Sequence, residues 1–315
     1  MQNIGLLIET RDGQLKAANY GLIAAAKGDS INRFAFVLDG KAADVKERLQ
    51  AHGVEKIVEI STQDGPLPWH PELWADAVIQ TMKYFDIQIL IGLTSAQGKD
   101  LLPRIAASLG APLVMDCISV DPVEHTVTKP EYSGKIAAQL KTYGAYHIYG
   151  VRPNAIDAAP NPAEAQCIPY PVHSGKTQLN IVDYISTPSS HTDLTEADII
   201  LSGGRGLENA ENFSLLRECA DLMGAAVGAS RVPVDSGWVP HDMQVGQTGK
   251  TVSPKAYIAC GISGSVQHFA GMKTAGLILA VNTDPKAAIM EKCDYFAVMN
   301  LFDLIPVLTR KLMKT

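Results

Sequence analysis

Short apolar runs that alternate with amphipathic segments constrain the fold of this chain more than any other feature. In the first half, apolar runs at residues 3–9, 34–38, 56–60 and 88–92 are separated by helix-like stretches at 15–26, 44–53 and 71–85. This alternation is typical of β-α-β units, in which parallel strands are joined by crossover helices. The sequence therefore predicts an α/β protein built on a parallel sheet.

The alternation stops after residue 110 and starts again near residue 197. Segments 126–129, 134–141 and 147–151 have strand character and are expected to pair in antiparallel or mixed fashion, as a small β extension. The stretch 153–171 contains five prolines and is expected to be an irregular surface segment. Turn-forming residues at 186–192 mark the expected domain boundary. We therefore expect an N-terminal parallel-sheet, nucleotide-binding-like domain at 1–186 and a doubly wound C-terminal domain at 187–315.

Composition excludes several classes of protein. The net charge is −6 and no dense basic cluster is present, which argues against nucleic acid as a partner. Five scattered cysteines without a C-x-x-C pair indicate a reducing compartment and argue against a zinc site or any other metal site. The first residues form a strand-length apolar run and not a targeting or membrane-spanning segment. We expect a cytoplasmic protein that does not insert into a membrane.

Small and polar residues follow several predicted strands of the second half. They are the glycine-rich turn at 202–206, Ser230 with Arg231, the stretch 261–265, and Asn282 with its two successors. Carboxyl ends of parallel strands share one edge of a sheet, where backbone N–H groups at helix starts favour anions. Each feature alone is also explained by helix capping or turn chemistry. Together they predict one crevice for a bound cofactor.

A comparable loop at 93–100 of the first half is better explained as a helix cap. His268 follows the glycine–serine turn 261–265, so its imidazole is placed to donate to a ligand lying over that turn. No G-x-S-x-G nucleophile motif is present, which leaves hydrolysis unsupported. The stretch 245–270 thus has the residues to bind and tune a redox cofactor that brings its own chemistry.

Eight motifs in the second half occur in the order seen in the α subunit of electron transfer flavoprotein, which this chain resembles. They are GRG at 204–206, GASR at 228–231, DMQVGQTGK at 242–250, YIA at 257–259, GISG at 261–264, QH at 267–268, AGMK at 270–273 and NTDP at 282–285. In the first half the resemblance is looser and includes Thr94 with Ser95, GKD at 98–100 and Arg152 with Pro153. The resemblance is dense from about residue 198 to the end of the chain.

The resemblance implies that the C-terminal domain holds an extended FAD, next to a β subunit that the N-terminal domain contacts. The residues implied to bind FAD are Arg205, Ser230, Arg231, Gln244, Val245, Gly246, Gln247, Thr248, Ser263, Gly264, Ser265, Val266, Gln267, His268, Asn282 and Asn300. Asparagine stands at position 300 where the family commonly has an acidic residue, so that contact carries no charge. Trp238 and His241 lie in a variable loop and are assigned no role.

Three of these residues are implied to tune the flavin. Thr248 would bond near the reactive N5 edge of the ring, and His268 would sit at the N1/C2=O edge. Arg231 would lie over the ring. Fixed donors and positive charge at these places favour the reduced ring, which carries more negative charge.

The resulting interpretation is an electron carrier, not an enzyme, that exchanges electrons with dehydrogenases and a downstream acceptor. One alternative is the α subunit of an electron-bifurcating protein that oxidises NADH, for which the deciding site lies in the β subunit. A non-redox alternative is a module that binds only an adenine nucleotide.

Overall fold

The protein consists of two compact units. The computed structural model describes residues 1–11, 13–28, 30–132, 134–173, 175, 177–183 and 193–314. One unit comprises Met1–Glu131 and Ile136–Ser186, and the other comprises Tyr132–Lys135 and Thr187–Thr315. The predicted boundary between residues 186 and 187, like the turn-former run 186–192, lies outside the described residues.

An eight-stranded sheet forms the centre of the first unit, with strand order β13-β5-β4-β1-β7-β12-β8 and β6 paired to β5. The strands are β1 (Gln2–Leu7), β2 (Thr10–Arg11), β3 (Gln14–Leu15), β4 (Ile31–Val37), β5 (Lys56–Thr62), β6 (Gly65–Pro66), β7 (Ile89–Leu93), β8 (Leu113–Cys117), β9 (Ser119–Asp121), β10 (Thr126–Glu131), β11 (Ile136–Lys141), β12 (His147–Val151) and β13 (Gln166–Pro171). The helices are α1 (Ala18–Ala25), α2 (Ala42–Gln50), α3 (Pro71–Tyr84) and α4 (Ala96–Leu109). All pairings of this sheet are parallel except that between β5 and β6.

Helices cover both faces of this sheet. Leu22 of α1 and Leu49 of α2 belong to the apolar core on one face. Val78 of α3 and Leu102 of α4 belong to the core on the other face. Because both faces of a parallel strand are buried, its sequence is a continuous apolar run. Strands β1, β4, β5 and β7 were predictable for this reason.

The strand predicted at residues 147–151 forms, but its expected antiparallel or mixed pairing within the β extension was wrong. This segment is β12, which pairs in parallel with β7 and β8 inside the main sheet, and all its residues are buried. The expected β extension does form, as a three-stranded antiparallel sheet of β9, β10 and β11. The extension is therefore an insertion after β8, from which the chain returns to the main sheet.

The proline-rich stretch 153–171 also differs from its prediction. Its last part is β13, an edge strand that pairs in parallel with β5. Proline lacks a backbone N–H, so it is tolerated where one side of a strand has no neighbour. Pro169 and Pro171 are accommodated in β13 for this reason.

The second unit is a five-stranded, all-parallel sheet of order β15-β14-β16-β17-β18. Its strands are β14 (Ile199–Gly203), β15 (Ala226–Ala229), β16 (Ala256–Cys260), β17 (Ile278–Asn282) and β18 (Tyr295–Val298), and its α-helices are α5 (Phe213–Met223), α6 (Arg231–Asp235), α7 (Val266–Ala270) and α8 (Leu301–Leu312). From β14 the chain adds β15 on one side and then β16, β17 and β18 on the other side. This reversal of strand order between β14 and β16 is the arrangement of a doubly wound fold. Ligands of such folds bind beyond the carboxyl strand ends near this switch point.

A short 3-10 turn, Arg205–Leu207, follows β14 and precedes α5, which begins at Phe213. Helix α7 after β16 is short and ends at Ala270. Helices α5 and α8 pack on one face of the sheet through Leu216 and Ile305. No helix among the described residues has both the length and the apolar character needed to cross a membrane.

Candidate functional site

A cleft of about 480 Å³ lies at the carboxyl edge of the second sheet. Its walls come from the segments that follow β14, β15, β16, β17 and β18. They include the predicted site residues Arg205, Ser230, Ser263, Asn282 and Asn300. Residues that are separated by up to 95 positions along the chain are thus brought to one edge of the sheet, as the parallel strand arrangement requires.

Glycines allow two of these strand ends to touch. A Cβ on Gly204 would lie 2.2 Å from the carbonyl oxygen of Gly261, and a Cβ on Gly206 would lie 2.8 Å from the Gly261 Cα. The backbone N–H groups of Gly204 and Gly206 instead donate to the carbonyls of Cys260 and Gly261. The turn after β14 is therefore fastened directly to the turn after β16, at the switch point of the sheet.

The two asparagines of this first cleft also support its walls. The Asn282 side-chain amide donates to the Ile262 carbonyl at 3.0 Å and accepts from the N–H of Asp284. The Asn300 side chain accepts from the N–H of Phe302 and so caps α8. The positive end of α8, a twelve-residue helix, faces the cleft, where it favours negative charge.

A second cleft, of about 370 Å³, continues along the same edge. It shares Ser230 and Ser263 with the first cleft. The predicted site residues Arg231, Gln244, Val245, Gly246, Gln247, Thr248, Ser265, Gln267 and His268 line it. Fourteen of the sixteen predicted residues thus line one of two connected clefts.

Gly264 and Val266 line neither cleft. Gly264 has a φ of +78° and packs against Ile289, where a Cβ would lie 2.5 Å from the Ile289 nitrogen. Val266 is exposed at the start of α7. Gly264 and Val266 therefore shape the backbone between Ser263 and His268, and their own side-chain positions lie outside both clefts.

Residues 244–250 form a closed loop at the second cleft. The N–H of Lys250 donates to the carbonyl of Gln244 at 2.7 Å, and the N–H of Gly249 donates to that of Gly246 at 3.1 Å. The N–H of Gln247 donates to the carbonyl of Gln267 and so ties the loop to α7. Thr248 lies exposed at the tip, where its hydroxyl oxygen accepts from the side-chain amide of Gln244 at 2.9 Å.

His268 is buried behind this loop. Its Nδ1 lies 3.0 Å from the carbonyl oxygen of Val245, and its Nε2 lies 3.0 Å from the hydroxyl of Tyr257. A carbonyl can only accept, so the ring proton is on Nδ1, and Nε2 accepts from the tyrosine. Burial lowers the pKa of His268 to about 4, although the hydrogen bond to the Val245 carbonyl acts in the opposite direction. Burial raises the pKa of Tyr257. The imidazole is therefore neutral at pH 7.

The contact of Tyr257 with His268 was not predicted, although Tyr257 belongs to the YIA motif at 257–259. It lies within strand β16, where its apolar neighbours suggest nothing beyond a core position. The structure shows a fully buried hydroxyl that fixes the orientation of the His268 ring. Glu208 of the first cleft was likewise not predicted, whereas Thr283 and Asp284, the two successors of Asn282, line it as expected for that strand end.

Arg231 lies at the exposed rim of the second cleft. Its guanidinium pairs with the carboxylate of Asp235 at 3.0 Å, and both side chains are more than half exposed. Exposed pairs of this kind contribute little free energy, so the guanidinium is able to leave Asp235 for a ligand. Among the described residues, no group of three or more His, Cys, Asp and Glu side chains is arranged to hold a metal ion.

Comparison with known proteins identifies the family. The family model described as electron transfer flavoprotein domain matches residues 4–170, and that described as electron transfer flavoprotein FAD-binding domain matches residues 193–273. The chain belongs to the electron transfer flavoprotein α-subunit family. It is 36% identical to electron transfer flavoprotein subunit alpha of Pseudomonas aeruginosa, over 97% of this chain and 98% of that protein.

Further relatives come from distant organisms. The chain is 33% identical to electron transfer flavoprotein subunit alpha of Thermoanaerobacterium thermosaccharolyticum, over 99% of this chain and 98% of that protein. It is also 33% identical to the probable mitochondrial α subunit of Schizosaccharomyces pombe, over 97% of this chain and 91% of that protein. The similarity spans both units of the chain and is not confined to the cofactor motifs.

Membership of this family makes FAD the cofactor and the chain an electron carrier, not an enzyme with its own substrate. It replaces the interpretation of the crevice as a site for an adenine nucleotide alone. The chain's own residues fit FAD, because the two connected clefts provide an anion-favouring end at α8 and a second end lined by hydroxyl, amide and apolar groups.

Proposed function

We propose that the second unit holds one FAD extended along both clefts, as the α subunit of a heterodimer with an electron transfer flavoprotein β subunit. In this proposal residues 187–315 bind the cofactor and residues 1–186 contact the β subunit. The observation that carries it is the connection of the two clefts at Ser230 and Ser263. Each cleft alone has the size of a small-molecule site, and together they suit a long ligand with two different ends.

The first cleft suits the nucleotide half of FAD. Arg205 and the N-terminal end of α8 place positive charge there, which favours a diphosphate. Asn282 and Asn300 hold the walls on either side. The neutral Asn300 keeps a hydrogen-bonding side chain at the cleft without adding a negative charge next to phosphates.

The second cleft suits the flavin ring, which takes up and releases electrons when FAD is bound. Thr248 presents a hydroxyl at the exposed tip of its loop, and Arg231 is free to swing over the ring from the rim. The neutral His268 donates its single ring proton, on Nδ1, to the Val245 carbonyl, and its Nε2 accepts from the Tyr257 hydroxyl. A hydrogen bond from Nε2 to the flavin would require this nitrogen to leave Tyr257 and to take up a second proton, which negative charge on the ring favours.

The partners follow from the same assignment. The relatives are named as α subunits, which supports a β subunit as the constant partner. Dehydrogenases and a downstream acceptor are the proposed electron donors and recipients. The exposed rim of the second cleft supports exchange by contact at that rim. All five cysteines are free, which supports a reducing compartment such as the cytoplasm.

Co-expression with the β-subunit gene tests the proposed function. We expect a yellow heterodimer whose absorbance and released flavin give FAD bound to this chain. A colourless heterodimer after gentle purification, to which added FAD does not bind, would contradict the proposal.

Two arginine variants test the orientation of FAD. Arg205→Ala should reduce the affinity for both FAD and ADP about tenfold, because both ligands carry the diphosphate. Arg231→Ala should reduce the affinity for FAD and leave the affinity for ADP unchanged, because ADP has no flavin ring. Arg310→Ala, an exposed charge change in the last turn of α8, serves as the control and should affect neither. The opposite pattern for the first two variants would reverse the orientation.

A further inference from the structure

We infer that Gln244 is a positioning residue that directs the hydroxyl proton of Thr248 into the second cleft. The inference rests on the proposed function, in which Thr248 faces the flavin ring. It assigns Gln244 a role different from the direct cofactor contact that the family resemblance implied. Gln244 acts on the ring through Thr248 and does not need to touch it.

The burial of the two side chains shows which one is available to a ligand. Gln244 is 3% exposed, whereas Thr248 lies exposed at the tip of the loop. The side-chain Nε2 of Gln244 donates to Oγ1 of Thr248 at 2.9 Å. The glutamine therefore reaches the threonine from the protein side, and the threonine meets the ligand.

The backbone holds both residues in fixed positions. The N–H of Gln244 donates to the carbonyl of His241, and the carbonyl of Gln244 accepts from the N–H of Lys250 at 2.7 Å. Gly249 lets the loop close, because a Cβ at that position would lie 2.3 Å from the Gln244 carbonyl oxygen. The hydrogen bond between the two side chains thus spans a loop that has little freedom to change their separation.

The chemistry of the hydroxyl gives this contact its consequence. A threonine hydroxyl has one proton to donate and two lone pairs to accept with. Once an amide N–H occupies a lone pair on the protein side, the proton is directed away from the glutamine and toward the cleft. There it can donate to an unprotonated ring nitrogen, which only accepts.

A glutamate at position 244 would reverse the hydrogen bond. A carboxylate has no proton to give, so the threonine hydroxyl would donate to it and turn a lone pair to the ligand. Two acceptors would then face each other across the cleft. Methionine at position 244 has a similar length and no donor, so it would leave the hydroxyl free to rotate.

The test is a double-mutant cycle on the FAD-loaded heterodimer. FAD dissociation constants and FAD midpoint potentials are measured for wild type, Gln244→Met, Gln244→Glu, Thr248→Val and the two double variants. We expect Gln244→Met to raise the dissociation constant of FAD three- to tenfold, the usual effect of losing one hydrogen bond. Gln244→Glu should raise the dissociation constant further and lower the midpoint potential of FAD.

The Thr248→Val background separates positioning from other effects. There we expect Gln244→Met to change neither the affinity nor the potential, and Gln244→Glu to shift the potential by much less than in the presence of Thr248. An equal shift in both backgrounds would mean that Gln244 acts by charge or by general loop stability, and would overturn the inference. Gln139→Glu, the same charge change in the β extension, is the control.

Failure of the proposed function gives a different result. If the flavin ring does not occupy the second cleft, Thr248→Val and Arg231→Ala leave the FAD affinity of wild type unchanged. If only the inference fails, these two variants weaken FAD while the effects of Gln244→Met and Thr248→Val are additive. If Gln244→Met does not fold, Gln244→Glu, which retains the size and polarity of the side chain, supplies the cycle.

Discussion

Acid should destabilise the second unit through the buried imidazole of His268. Burial lowers its pKa from the ordinary 6.5 to about 4. Between pH 6.5 and about 4, His268 is therefore protonated in the unfolded chain and neutral in the folded chain. The resulting contribution to stability is fully present above pH 6.5 and is lost as the pH falls toward about 4.

The size of the effect follows from the shift. At about 1.36 kcal/mol per pKa unit, the full contribution is roughly 3 kcal/mol, and about 2 kcal/mol of it is lost between pH 7.5 and 5. Most ordinary carboxylates remain charged over this interval, so they contribute little to the change. His268→Gln removes the titration but keeps an N–H for the Val245 carbonyl and an oxygen for the Tyr257 hydroxyl.

Urea unfolding of the FAD-free chain at pH 7.5 and 5 measures this difference, with hydrogen exchange in β14 and β16 reporting the second unit. Wild type should lose about 2 kcal/mol more than His268→Gln between the two pH values. His241→Gln makes the same substitution at an exposed position and should behave like wild type. Equal losses in wild type and His268→Gln, or a ring that titrates near 6.5 by NMR, would refute the argument.

Three further variants, the first with a matched control, test other contacts of the chain. Gly204→Ala should reduce stability by about 1–3 kcal/mol and abolish FAD retention, because its Cβ would press on the Gly261 carbonyl. Gly224→Ala, where φ is +61° and no atom lies within 4 Å of the Cβ, should cost about 1 kcal/mol and leave flavin absorbance per chain unchanged; equal flavin content in both variants would contradict the steric argument. Tyr257→Phe should cost about 1–3 kcal/mol in urea unfolding, because it removes the hydroxyl that donates to the buried histidine, and an unchanged midpoint would show that another donor replaces it. Glu9→Ala should cost about 3 kcal/mol, because the buried carboxylate holds a lysine at 3.0 Å and accepts from a serine, and a loss below about 1 kcal/mol would argue against that pairing.

Much of the candidate site was predictable because its residues follow strands. Glycines, hydroxyls and amides at strand ends are local features, and a parallel sheet brings all its carboxyl ends to one edge. Arg205, Ser230 and Asn282 therefore share a cleft as expected from their places in the sequence. Their partners within the protein were not predictable, because the contacts of Asn282 and Asn300 depend on how the loops turn after the strands end.

Two α/β units, most of their strands, the family and the cofactor were predictable from the order of the amino acids. These properties depend on hydrophobic periodicity and on motifs of a few neighbouring residues, both of which are visible along the chain. Tertiary structure decided that β12 enters the main sheet and that proline-rich β13 forms its edge. It also decided that the two ring nitrogens of His268 form hydrogen bonds with Tyr257 and Val245, and that the buried Gln244 donates to the hydroxyl of Thr248. Strand neighbours and buried hydrogen-bond partners come from residues distant in sequence, so only the packed chain specifies them.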